Sequence, residues 1–136
     1  PPDLLLASLG AAALEVLAVE RDYIVVFEDA ATVRNLKPHM AGLSGLDRYG
    51  VIVTAPGRDC DYVCRFFAPS KGVPEDPVTG SAQCSLVPYW AERLGKDDLC
   101  ARQLSGRGGE LFCTNRGDRV RISGHAVFYM EGTILI

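Results

Sequence analysis

One helix-length apolar segment stands among many short strand-like runs, and this imbalance limits the fold more than any other property of the chain. The segment follows Thr79. Cys84, Val87, Tyr89, Trp90, Ala91 and Leu94 spread apolar groups over most of a helix circumference. A helix of that kind needs cover on most of its sides. Pro88 falls inside it, removes one backbone donor and marks a candidate kink. Around it lie β-rich runs bounded by turn residues: 14–19 and 23–27 about the polar Glu20–Arg21–Asp22, then 50–57, 61–69, 99–104, 109–114, 118–123 and 126–136. Short helical turns are expected over 3–8, stopped by Gly10, from the capping Asp29 to Pro38, and over 40–46. One covered helix among roughly eight short strands is an α+β pattern. The connections read as too short for crossovers, which predicts mostly antiparallel pairing. A curved, barrel-like sheet wrapped around a central helix satisfies both conditions.

A chain of 136 residues has the length of one domain, and residues 1–136 are read as a single unit. The net charge of -3 disfavours nucleic acid and acidic membrane surfaces as partners. Arg116, Arg119 and Arg121 therefore read as a solvated strand face, with no aromatic platform between them. The longest apolar run, near residues 4–14, is broken by Ser8 and Gly10 and is too short to span a bilayer. No basic-then-apolar leader opens the chain. Its first residue, Pro1, fits a processed start or a piece of something longer. Five cysteines, an odd number, point to reduced thiols and a cytoplasmic setting. The Cys60–Cys64 spacing matches no metal-ligand pattern, so no metal is expected. His39 and His125 have no orienting partner nearby in sequence and read as turn or surface residues. Cys84 reads as a packing residue.

The chemistry concentrates in "GVPEDPVTGSAQC", directly before the long helix. Unpaired N–H groups and a partial positive charge collect at a helix N-terminus. Thr79, Gly80, Ser81 and Ala82 occupy that place. Gly80 allows close backbone approach and Ser81 adds a hydroxyl, which together suit a carboxylate or phosphate. Glu75 and Asp76 precede them, held by Pro77. A carboxyl group fixed beside an anion site can move a proton on a bound acid. The plainer reading stands beside it: Thr79 or Ser81 caps the helix, and the acids favour its positive end. In "RQLSGRGG", Gln103, Ser105 or Arg107 could close over a ligand carboxylate. The alternative there is a polar hairpin loop with a solvated arginine.

"RFFAPSKGVPEDPVTGSAQCSLVPYWAERLG", with "ARQLSGRGGELFC" and "GDRVRISGHAVFYMEGTI", resembles the C-terminal half of the phenazine-biosynthesis PhzF-like family. The resemblance runs from about residue 14 to the end. It implies a diaminopimelate-epimerase-like fold: two similar domains, each a curved antiparallel sheet around a helix, with the active site in the cleft between them. It matches Asp76 and Ser81 to the family's substrate-site aspartate and serine, with Gly80 in the same pocket. It implies an isomerase that shifts a double bond by proton transfer on a small cyclic amino acid, without metal or organic cofactor. The family's key glutamate and an assisting histidine belong to the N-terminal half, which this sequence does not contain. Gln83 stands where many relatives read histidine, and glutamine cannot titrate. Related epimerases place a thiol pair across the cleft, but residues 75–80 include no cysteine.

Taken together, Asp76 and Ser81 are the candidate catalytic residues. Glu75, Thr79, Gly80, Ser81, Ala82 and Gln83 are the candidate substrate-binding set. The expected partners are a small carboxylate substrate and either an N-terminal domain of the same protein or a second copy, the family often forming dimers. The last strand, about 130–136, is expected to reach toward the missing domain, and exposed apolar surface is expected where that domain docks. The competing expectation is a non-catalytic domain that keeps the fold and binds small anions or a protein partner.

Overall fold

In a computed structural model, which describes residues 2–135, eight strands form one curved, open sheet. The chain runs α1 (Asp3–Leu9), β1 (Glu15–Ala18), β2 (Asp22–Val26), α2 (Ala30–Asn35), α3 (Met40–Ser44), β3 (Gly50–Pro56), β4 (Tyr62–Ala68), β5 (Val73–Asp76), α4 (Gly80–Leu94), β6 (Asp98–Gln103), β7 (Gly109–Asn115) and β8 (Val120–Ser123). The sheet order is β1-β2-β3-β4-β6-β7-β8, with β5 paired to β4. Local signals set most boundaries. The Asp29 carboxylate accepts the Thr32 N–H at 2.7 Å and starts α2. Gly10 and Gly95 end α1 and α4 in left-handed conformation, at φ 67° and 65°.

Pairing is antiparallel except in two places. β2–β3 and β4–β6 are parallel. Crossovers therefore exist despite the expectation: α2 and α3 carry the first, β5 and α4 the second. Each spans about 20 residues or more, enough for a right-sized return path. β5 was not foreseen. Its run "VPED" is polar and short, and only its pairing to Phe66 and Ala68 of β4 makes it a strand.

The sheet buries both faces. Toward α4, Ile24, Ile52, Tyr62, Phe66, Leu86, Val87, Trp90 and Leu111 form one core. Toward α1, α2 and α3, Leu5, Phe27, Val33, Leu43, Val53 and Phe67 form a second. Strands covered on both sides explain why β2, β3 and β4 read as continuous apolar runs without alternation.

Three expectations need correction. The sheet does not close around α4 within the described residues, because β1 and β8 end it as separate edges. One side of the helix stays open, and Cys84 lies on it, exposed and not packed, beside Gly80, Ser81 and Pro88. The expected strand over 126–136 is also absent: residues 124–135 take no regular secondary structure, and Ile136 lies outside the described residues. A strand needs a neighbour to satisfy its backbone, and no strand among the described residues pairs with this segment. No helix among the described residues is long and apolar enough to cross a membrane.

Candidate functional site

The turn from β5 into α4 is held from behind by buried side chains and open in front. Thr79 occupies the helix N-cap but makes no side-chain cap. Its hydroxyl instead donates to Asp76 Oδ2 at 2.6 Å, a length typical of a hydroxyl donating to a carboxylate. The first-turn amides of α4 are thus left without a side-chain cap, and the plainer capping reading of Thr79 does not hold. Gly80 and Ser81 are exposed. A Cβ at Gly80 would meet nothing within 4 Å, so packing inside the chain gives no reason for glycine there.

Glu75 faces the opposite way along β5. Its carboxylate takes a two-pronged ion pair from Arg65, at 2.8 and 3.0 Å. The same guanidinium caps the C-terminal carbonyls of α2, donating to Val33 O at 3.1 Å and Leu36 O at 2.9 Å. Glu75 is therefore tied to the α2 side of the sheet, and Asp76 is the acid left beside the helix start. Ala82 is buried in the core, with only its backbone belonging to the first turn. Gln83 is fully buried: its Oε1 accepts from Tyr62 OH at 2.6 Å and its Nε2 donates to Thr79 O at 3.1 Å.

Gln103 lies directly behind the loop, 1% exposed. Its Oε1 accepts the Thr79 N–H at 2.8 Å, and its Nε2 donates to Asp76 O at 2.7 Å and Thr79 Oγ1 at 3.0 Å. Ser105 adds a bond from Oγ to Pro77 O at 2.7 Å and accepts from Gly108 N at 3.0 Å. Gln103 and Ser105, read from sequence as lid candidates, are thus the loop's rear supports. Arg107 is exposed, as a solvated hairpin arginine would be.

In front, a cation stands beside the helix start. Arg21, on the β1–β2 turn, donates to Ser81 Oγ at 3.4 Å. Its guanidinium sits 4.1 Å from the Tyr49 ring centre, and Lys71 Nζ lies 5.6 Å from the same ring. No linear pattern predicts Arg21 or Tyr49 here; they arrive through the β2–β3 parallel register. An open cleft of about 820 Å³ begins at Val78 and Gly80 and runs between Arg107–Leu111 and Ile122–Val127. His125 borders it, edge-on to Phe112 at 5.4 Å, while Asp76 and Ser81 lie outside its lining. His39 is elsewhere, capping α3 through Nδ1 to Gly42 N at 3.2 Å.

Cys84 lies on the open stripe beside Gly80 and Ser81, whereas Cys64 and Cys113 are buried. Burial pushes Cys64 up to about 12 and Cys113 up to about 11. Among the described residues no cluster of three or more His, Cys, Asp or Glu side chains could hold a metal ion.

Comparison with known proteins gives a consistent result. The profile of a family described as phenazine biosynthesis-like protein matches residues 6–132. An uncharacterized isomerase of Pseudomonas aeruginosa is 53% identical over 133 residues, covering 98% of this chain and 51% of that protein. Another from Halalkalibacterium halodurans is 38% identical, covering 99% of this chain and 52% of its own length. The crystal structure of a putative phenazine biosynthesis PhzC/PhzF protein from Clostridium difficile superposes at TM-score 0.88 with 42% identity, covering 100% of this chain and 52% of that one. A PhzF-family protein from Enterococcus faecalis gives 0.86 and 42%, covering 90% and 47%. The chain spans about half the length of the relatives it matches.

Proposed function

This chain belongs to the phenazine biosynthesis-like (PhzC/PhzF) family, and on that premise we propose that it forms the C-terminal half of a proton-transfer isomerase. The substrate is a small cyclic amino acid or related carboxylate, and the reaction uses no metal or organic cofactor. Asp76 orients or relays the proton. The Gly80 N–H and the Ser81 hydroxyl hold the carboxylate, with Arg21 adding positive charge at the same edge. One observation carries most of the weight: the Asp76 carboxylate is fixed by Thr79 at 2.6 Å immediately before an uncapped, exposed helix start. Fixing the acid in place lowers the entropy cost of reaction, and the helix dipole favours the bound anion.

The second acid/base group comes from an N-terminal half or from a second copy that covers α4. The open stripe Gly80, Ser81, Cys84 and Pro88 is the surface to be covered. The segment of about residues 130–136 is the one that reaches toward that partner, pairing as a strand only on docking. A non-catalytic, anion-binding domain is the second reading. It draws on Gln83, a buried amide that cannot titrate at this position.

The test is deuterium wash-in from solvent into a panel of cyclohexenyl amino acids, followed by mass spectrometry. The parent protein, with both halves present, is expected to exchange at a carbon beside the carboxylate, and its Asp76→Asn variant to lose that exchange by at least about 100-fold, as for loss of a positioned general base. Equal rates in the two proteins would remove Asp76 from any acid/base role and favour the binding-domain reading.

A further inference from the structure

We propose that Gln103 is a positioning residue that fixes the direction of the Thr79 hydroxyl, and through it the face that Asp76 presents to a ligand. Backbone groups alone set the orientation of its amide. The Thr79 N–H can only donate, so the atom 2.8 Å away is Oε1. The Asp76 carbonyl can only accept, so the atom 2.7 Å away is Nε2. A reversed amide would set donor against donor and acceptor against acceptor inside the core, which a side chain 1% exposed cannot relieve with water.

The consequence passes outward one bond at a time. The second N–H of Nε2 points at Thr79 Oγ1, 3.0 Å away, and occupies a lone pair there. The single hydroxyl proton of Thr79 is then left to Asp76 Oδ2 at 2.6 Å. Gln83 braces the same residue from the other side, donating to Thr79 O at 3.1 Å while Tyr62 fixes its oxygen at 2.6 Å. One Asp76 oxygen is thus permanently engaged as an acceptor from within. The other takes no side-chain hydrogen bond among the described residues, so a ligand group that meets this carboxylate oxygen must bring the proton. The matching ligand is a carboxylate that also carries an ammonium, a hydroxyl or an acidic C–H next to the group held at Gly80 and Ser81.

This assignment rests on Asp76 serving as the proton relay, and the experiment separates the two. Nuclear magnetic resonance of the isotope-labelled protein should show the Thr79 hydroxyl proton correlated across its hydrogen bond with the Asp76 carboxyl carbon. Absence of that correlation in the unaltered protein overturns the proposal. Gln103→Glu keeps an acceptor for the Thr79 N–H but replaces both donors by a carboxylate, so the hydroxyl turns toward it and the correlation disappears. Gln103→Met fills the space without polar atoms, and there the correlation should weaken at least several-fold; it carries the test if Gln103→Glu does not fold. A correlation unchanged in a folded variant overturns the proposal. In the wash-in assay, Gln103→Met is expected to lose on the order of 100-fold, as small misplacements of a catalytic group do. Loss in Asp76→Asn with none in Gln103→Met removes Gln103 and keeps the relay. No loss in Asp76→Asn removes the relay, and the correlation alone then decides what Gln103 does.

Discussion

α4 and the segment 126–135 are both apolar and both read as regular structure, yet their fates are opposite. In α4, Leu86 and Val87 are fully buried and Trp90 nearly so. In the tail, Val127 is 90% exposed and Tyr129 93%, with no strand formed. Composition does not separate them. The difference is whether the chain supplies a partner. α4 meets the inner face of the sheet, where Tyr62 stacks on Trp90 with ring centres 5.8 Å apart. The tail follows β8, the last strand of the sheet, and among the described residues no strand pairs beyond it. Apolar patterning states a need for burial, and only topology says whether one chain can meet it.

The sharpest test of that contrast uses α4 alone, because its two sides differ as the two segments do. Cys84 lies on the open stripe and Cys64 beneath the helix, buried, with its thiol pushed up to about 12 by desolvation. Alkylation by iodoacetamide near pH 8 should modify Cys84 in the folded protein. Cys64 must wait for an opening that costs about 5 kcal/mol or more in an ordinary domain, so the rates should differ by a thousandfold or more. Comparable rates at the two thiols would mean that α4 is not packed on the sheet. Protection of Cys84 that grows with protein concentration would instead identify the open stripe as a contact between copies.

A smaller effect separates helix from tail directly. Trp90 donates from Nε1 to Thr54 Oγ1 at 3.0 Å and fills the core against Tyr62. Trp90→Ala should cost about 3–5 kcal/mol in urea denaturation. Phe128→Ala and Tyr129→Ala should stay within about 0.5 kcal/mol, since both side chains are largely exposed. Their effect should appear in sedimentation, as weaker self-association. A tail substitution that lowers stability as much as Trp90→Ala would show that the segment packs on its own domain.

The same logic explains what could be read from the sequence. Asp29 and Gly10 act over four residues or fewer, and their cap and stop fall where the pattern puts them. Strand runs were legible from β-branched and aromatic content, and the loop before α4 from its unusual density of acids, prolines and hydroxyls. The parallel pairings were not, because nothing local distinguishes a strand that returns beside its predecessor from one that crosses over. Within the loop, Glu75 and Asp76 look equivalent in the linear sequence. Period-two alternation along β5 sends one to Arg65 and the other to Thr79, and that requires knowing that "VPED" is a strand. Gln103 sat in plain view at the end of a strand run, but its direction, inward behind the loop, depends on the register of β6 against β4.

Asp22 supplies the converse of the tail: a charged group that is buried with too few partners. It is 4% exposed, and its Oδ1 has no hydrogen-bond partner. Burial raises its carboxyl above the ordinary value of 3.8, opposed by Arg21, the Gly50 N–H and Arg48. The sign follows from linkage. A carboxyl that keeps its proton to higher pH in the folded state binds more protons there than in the unfolded state. Stability contributed by Asp22 is therefore present below about pH 3.8 and lost as pH rises through the folded value. Asp22→Asn removes the charge, so at pH 7 it should melt above the parent protein, and the gap should close as the pH falls toward 3.8 and below. Arg21, 3.6 Å from Oδ2, offsets part of the cost, which makes this the smallest of the expected effects. A gap that widens on acidification would show that Arg21 more than compensates Asp22. The carboxylate at the β2 edge would then be a second fixed charge bracing the guanidinium beside Ser81.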